Sequence, residues 1–274
     1  MTPQAPNQMG SRSGARSAPT AFASGAVIGV LGGLIGLGGA EFRLPLLIGV
    51  FGFAALHAVI LNKAMSLIVV VTALPARLLA VPITAITGHW AIVVNLLAGS
   101  LLGAWAGAGW ATTMHSRTLY RVLAGLLVFI AAALALSHLT DVTGLTTLPA
   151  ALRVPAAVLA GLGIGIVAAL MGVAGGELLI PTIVVLFAVD IKTAGSLSLL
   201  VSLPTMLVAF ARYSRNQSFH VLRDNIGFVL TMATGSILGT LLGGMLLGVV
   251  PVAVLVPVLV ALLIASAIKV WRHS

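Results

Sequence analysis

The chain has 274 residues, 60% of them apolar and only 7% charged, with a mean hydropathy of +1.19; this excludes a soluble domain with a polar surface and reads as a polytopic membrane protein. Its formal charge of +9, from 14 basic against 5 acidic residues, does not point to nucleic acid, because the basic residues stand mostly at the ends of apolar runs, where they set orientation. The absence of cysteine removes disulfides, thiolate chemistry and most structural zinc sites.

Residues 1–19, rich in Pro, Ser, Gln and Gly with Arg12 and Arg16, read as a disordered basic tail. The tail and the apolar run after it mimic a signal peptide, but the run from Thr20 leads straight into a repeated motif, so cleavage is not expected. Ten apolar segments follow, at 20–36, 41–54, 58–80, 89–113, 118–137, 154–172, 177–189, 194–212, 225–249 and 251–271. Five stand on each side of a loop at 139–153, which divides the chain into a first transmembrane repeat over 20–138 and a second over 154–274. Most segments approach the ~20 residues that cross a ~30 Å hydrocarbon layer. The segments 41–54 and 177–189 would reach only about 20 Å as helix, so the first two segments of each half are candidates for broken or re-entrant hairpins.

The halves share a motif. Gly36-Leu37-Gly38-Gly39-Ala40-Glu41-Phe42-Arg43-Leu44-Pro45 returns 136 residues later as Gly172-Val173-Ala174-Gly175-Gly176-Glu177-Leu178-Leu179-Ile180-Pro181. At the same spacing Gly99-Ser100, Gly103 and Gly107 match Gly235-Ser236, Gly239 and Gly243, while Ala64 and Ser66 match Ala194 and Ser196 at a spacing of 130. With the tail in the cytoplasm, alternate crossings place Arg117, Arg121, Arg212, Arg215, Arg223, Lys269 and Arg272 on its side, and only Arg153 and Lys192 opposite. Both termini are then cytoplasmic. An odd number of crossings per half inverts the two copies, the plan of many secondary transporters, and re-entrant pairs leave that parity unchanged.

Glycine at Gly36, Gly38 and Gly39, and at Gly172, Gly175 and Gly176, lets one helix end and another begin inside the membrane. Such breaks are tolerated only within protein or a watery cavity. The helix starts at Ala40 and Gly176 offer amide donors and a positive dipole end to an anion. Glycines at Gly99, Gly103, Gly107, Gly235, Gly239 and Gly243 serve close helix packing instead. Glu41 and Glu177 lie in the first turn after each break, where a carboxylate either caps amides or, buried, exchanges a proton during transport.

Arg43, two positions after Glu41, does not face it on a helix and needs another partner: a substrate anion, an acid of the other half, or the membrane interface. Arg77 and Lys63 are the other cations within apolar segments, and Lys63 reads as an end residue that snorkels. Hydroxyls at Ser66, Thr72, Ser196, Ser198 and Ser202 lie near Pro75 and Pro204, although such groups often bond their own backbone. The six histidines show no metal-binding spacing, so neither metal nor other cofactor is expected, and no nucleophile and base recur at a spacing that suggests an enzyme.

The repeated Gly-x-Gly-Gly-x-Glu-x-x-x-Pro passage, its second copy, and Lys192-Thr193-Ala194-Gly195-Ser196-Leu197 after it resemble the TauE/SafE sulfite exporter family over essentially the whole chain after the tail. The resemblance implies a bacterial inner-membrane permease that moves sulfite or small organosulfonates such as sulfoacetate outward, by alternating access around a midplane site. Arg43 departs from the apolar residue expected there, as Leu179 in the second copy illustrates. The expected substrate-binding set is Gly36, Gly38, Gly39, Ala40, Glu41, Arg43, Ser66, Arg77, Gly172, Gly175, Gly176, Glu177 and Ser196. Expected partners are a small anion and membrane lipid, not nucleic acid, with protons and a homo-oligomer left open. A passive anion channel and a non-transporting membrane scaffold are the alternatives.

Overall fold

A computed structural model describes residues 17–35, 39–80, 88–139, 149–246 and 252–273, all helix, turn or irregular backbone without strands among these residues. The helices follow the apolar segments closely. In chain order they are α1 (Ala18–Ile35), α2 (Ala40–Gly49), α3 (Ala55–Ala80), α4 (Trp90–Thr113), α5 (Ser116–Leu139), α6 (Ala150–Met171), α7 (Gly176–Phe187), α8 (Ile191–Tyr213), α9 (His220–Asp224), α10 (Ile226–Met245) and α11 (Val252–Trp271). Only the five-residue α9 and the 3-10 turn Gln217–Phe219 before it, in the polar connection from α8 to α10, carry no apolar signal from which they could be read.

Six described helices are long and apolar enough to cross a membrane: α3, α4, α5, α6, α8 and α10. The all-helical character follows from the solvent, since lipid offers backbone groups no hydrogen bonds and each helix satisfies its own. In contrast, α2 and α7, of 10 and 12 residues, extend only about 15–18 Å. Their outer neighbours carry the lipid-facing surface, with Leu102 on α4, Leu159 on α6, and Leu241 and Met245 on α10 all exposed.

Two helix pairs approach at backbone contact. Gly99, Gly103 and Gly107 of α4 face α6, and Gly235, Gly239 and Gly243 of α10 face α1; a methyl at Gly99 would fall on the Val158 carbonyl, and one at Gly239 on that of Ala26. Without a hydrophobic drive between helices in lipid, this close approach supplies the van der Waals contact that holds them together. Further contacts join α5 with α11, α8 with α4, α10 with α3, and α3 with α8. The short helices sit inside this frame, α2 against α3 and α11 and α7 against α8 and α6. Aromatic anchors mark the periphery, Arg212 lying 4.8 Å from the ring of Trp105 and Arg121 5.7 Å from that of Trp271.

The start of α8 is capped conventionally. The Asp190 carboxylate accepts from the backbone N–H of Lys192 at 3.1 Å and of Thr193 at 3.0 Å. These bonds, that from Thr193 foremost, hold its pKa below the usual aspartate range.

Candidate functional site at the paired helix breaks

The second break shows how the sequence stops a helix within the fold. α6 ends at Gly172, in the left-handed region at φ 70°, and closes in a Schellman motif: Gly172 N–H donates to Ala169 O and Val173 N–H to Ala168 O, both at 3.1 Å. After Val173 and Ala174, Gly175 at φ 84° opens α7. A side chain at Gly172 would meet both that φ and the Val59 carbonyl of α3. At the first break Gly39, at φ 69°, opens α2 in the same way. Gly36 and Gly38 lie outside the described residues. Downstream, Pro45 and Pro181 have no N–H to give to the residue four places back, which in both short helices is the glutamate, Glu41 or Glu177.

Side chains from α3 tie the two breaks together. The Asn62 amide donates 3.0 Å bonds to Ala40 O at the start of α2 and to Met171 O at the end of α6. Lys63 Nζ donates to Ala168 O at 2.8 Å and Val173 O at 2.7 Å, and Ser66 Oγ donates to Gly172 O at 3.2 Å. From α8, the Tyr213 hydroxyl donates to Ala169 O at 2.9 Å. The last carbonyls of a helix have no partner within it; here they are answered by four buried side chains. Lys63 does not snorkel, contrary to the expectation from its place near a segment end: it is 0% exposed, because a cation at a helix C-terminus meets both free carbonyls and the negative dipole end.

The acidic and basic side chains occupy the same region. The Glu41 and Glu177 carboxyl groups lie close enough for each to act on the charge of the other. Among the described residues Glu41 Oε2, both oxygens of Glu177 and Asn62 Oδ1 have no hydrogen-bond partner. The two glutamates, one from each half, stand in the first turns of α2 and α7. Arg43 is 0% exposed. Its Nη1 reaches Ser66 Oγ at 3.5 Å and its Nη2 reaches Ser236 Oγ at 3.3 Å, both long for a guanidinium donor, while Nε has no acceptor.

Of the residues read from sequence, Gly39, Ala40, Glu41, Arg43, Ser66, Gly172 and Glu177 thus belong to one buried cluster, with Gly175 and Gly176 at the mouth of α7 beside it. Ser196 bonds its own helix at the Lys192 carbonyl, 3.4 Å away, and no bond joins it to the cluster among the described residues. Arg77 lies in α3 with its side chain outside the described residues. Sequence reasoning missed Asn62, Tyr213 and Ser236 as members. Ser236 carried a signal, since it sits in the repeated Gly-Ser step, but that step reads equally well as packing.

Two interrupted helices joined by one amide, with a sealed arginine and a carboxyl pair beside them, form a charged core inside an apolar helical frame. The family described as Sulfite exporter TauE/SafE matches residues 21–270, nearly the whole chain. The chain belongs to the TauE/SafE sulfite exporter family. No curated protein and no solved structure matches it. Membership in TauE/SafE makes it a multi-pass membrane protein of a transport family, surrounded by lipid and acting on a small anion. The two glycine-rich passages that carried the resemblance are the TauE/SafE segments that meet at Asn62.

Proposed function

We propose that this protein is a secondary transporter that exports sulfite or a small organosulfonate such as sulfoacetate by alternating access, the anion binding where the two helix breaks meet. One observation carries the reading: Arg43, wholly buried and held among the described residues by two serine hydroxyls, lies in the same cluster as the N-terminal starts of two helices, whose first amides have no partner within the helix. A buried guanidinium that forms no ion pair among the described residues favours a negative guest. Export of an anion across an inside-negative potential is downhill, by about 2.3 kcal/mol per charge per 100 mV. The closeness of Glu41 and Glu177 supports a role for protons, since two neighbouring buried carboxyl groups do not readily both ionise.

An inverted repeat is supported by reciprocal contacts. If the segments of 20–138 map in order onto those of 154–274, α1 with α10 becomes α6 with α4, and α3 with α10 becomes α8 with α4; all four pairs are in contact. α5 with α11 and α3 with α8 map onto themselves. In this reading α2 and α7 are the returning arms of re-entrant hairpins and both termini face the bacterial cytoplasm. The glycine contacts refine the expected motion of one repeat against the other. They lock α1 to α10 and α6 to α4, so each rigid body contains helices of both repeats.

Purified protein in liposomes loaded with sulfite, sulfoacetate or a carboxylate control, with and without a pH gradient, tests the reading. Saturable efflux of the sulfur anions is expected. No flux of any anion would favour a scaffold, and unsaturable flux a passive channel. Flux indifferent to pH and to Glu41→Gln and Glu177→Gln would remove proton coupling alone.

A further inference from the structure

We propose that the site carries one uncompensated positive charge, at Arg43, and so accepts a single monovalent oxyanion, bound along the guanidinium edge that Ser236 flanks. The inference rests on the anion-export reading above and specifies the charge state of the cargo.

The charged and titratable groups in the cluster are Glu41 and Arg43 from α2, Lys63 from α3, Glu177 from α7 and Tyr213 from α8. Two neighbouring buried carboxyl groups do not readily both ionise, so the pair is singly negative or neutral. Lys63 lies within electrostatic reach of Glu177, and its ammonium is bonded to neutral carbonyls. A charged Lys63 beside a singly negative pair sums to zero, and so does the state after one proton passes from Lys63 to the pair. A low-dielectric interior favours such balanced sums. The Tyr213 hydroxyl donates to a carbonyl and adds no charge.

Arg43 remains outside this balance. It stays protonated at any working pH, Glu41 acts on it only through space, and no carboxylate among the described residues forms an ion pair with it. Among the described residues its Nε is unpartnered and Nη2 has the 3.3 Å contact to Ser236 alone. Those two nitrogens form one edge of the guanidinium, the fork that takes two oxygens of one anion. The second half carries no equivalent charge: the position 136 residues on is the buried Leu179, and Ser100, the counterpart of Ser236, is satisfied by Thr205 at 2.7 Å. One half supplies a cation and the other does not, so the site takes one anion.

A divalent guest would leave this closed interior negative beside the carboxyl pair. Hydrogensulfite and monosulfonates therefore fit, whereas sulfoacetate fits only with its carboxyl group protonated. The test compares two strong-acid anions that do not titrate, 2-hydroxyethanesulfonate and ethane-1,2-disulfonate. With the full chain in proteoliposomes under a potassium diffusion potential, the monosulfonate should leave at least about tenfold faster, with one charge moved per molecule. In detergent, it alone should raise the melting temperature. Ser236→Ala should raise KM several-fold with little change in kcat, and Arg43→Lys, which keeps the charge but not the fork, should lose more. Equal flux and equal thermal protection by mono- and disulfonate would overturn the proposal. Absence of flux for every anion would overturn the export reading, and the melting comparison would then decide this one without it.

Discussion

At the scale of single residues, the cluster depends on side chains that answer backbone carbonyls. Asn62 serves two breaks with one amide, so Asn62→Ala removes two buried hydrogen bonds and the cross-link they make. We expect a loss of about 1–2 kcal/mol of stability, read as a lower melting temperature in detergent, together with reduced efflux. Asp190 provides a pH-dependent contribution far from that cluster. Its pKa in the fold lies below the ordinary value because amide donors, Thr193 N–H first, favour the carboxylate. The unfolded chain therefore binds the proton more readily, and the cap's contribution is complete above the unfolded pKa and vanishes as pH falls through the folded one. Asp190→Ala should lower the melting temperature at neutral pH, and the difference from the parent should shrink towards strongly acidic pH. A gap that stayed constant across that range would show that the cap does not act through its charge.

At the scale of elements, glycine has two separate jobs. In the breaks, Gly39, Gly172 and Gly175 hold left-handed backbone that ends one helix and starts the next. In the long helices, the Gly99 and Gly239 rows remove side chains so that backbones touch. Gly239→Ala would drive a methyl into the Ala26 carbonyl, and we expect about 1–3 kcal/mol of destabilisation from the forced separation of α1 and α10. Gly244, one residue beyond the last of that row, has open space where a side chain would go. Gly244→Ala should leave the melting temperature unchanged, and an equal loss in both variants would point to general helix effects instead of the contact.

At the scale of the whole molecule, α8 is one apolar span with exposed Lys192 near its start and exposed Arg215 just past its end. The parent chain has no cysteine, so single cysteines report sidedness cleanly. Arg215→Cys should react with an impermeant maleimide only from the cytoplasmic side and Lys192→Cys only from the opposite side; labelling of both from one side would refute the proposed topology.

The sequence by itself determined the class of solvent, the ten apolar segments to within a few residues, the two breaks and the family. Each of these is written in local chemistry: an apolar run long enough for a bilayer, a glycine where a helix stops, a motif that recurs at one spacing. Asn62, Lys63 and Ser236 were not legible in the same way, because their roles depend on which carbonyl or guanidinium the fold brings to them. Lys63 looks like a snorkelling end residue until the end of α6 arrives against it, and Ser236 looks like packing until Arg43 reaches it from α2. Only the tertiary structure decided that Glu41 and Glu177 lie together and that Arg43 reaches two serines and, among the described residues, forms no ion pair with an acid, since hydrogen bonds and charge contacts act over a few ångströms, and residues more than a hundred positions apart become neighbours only once the helices have packed.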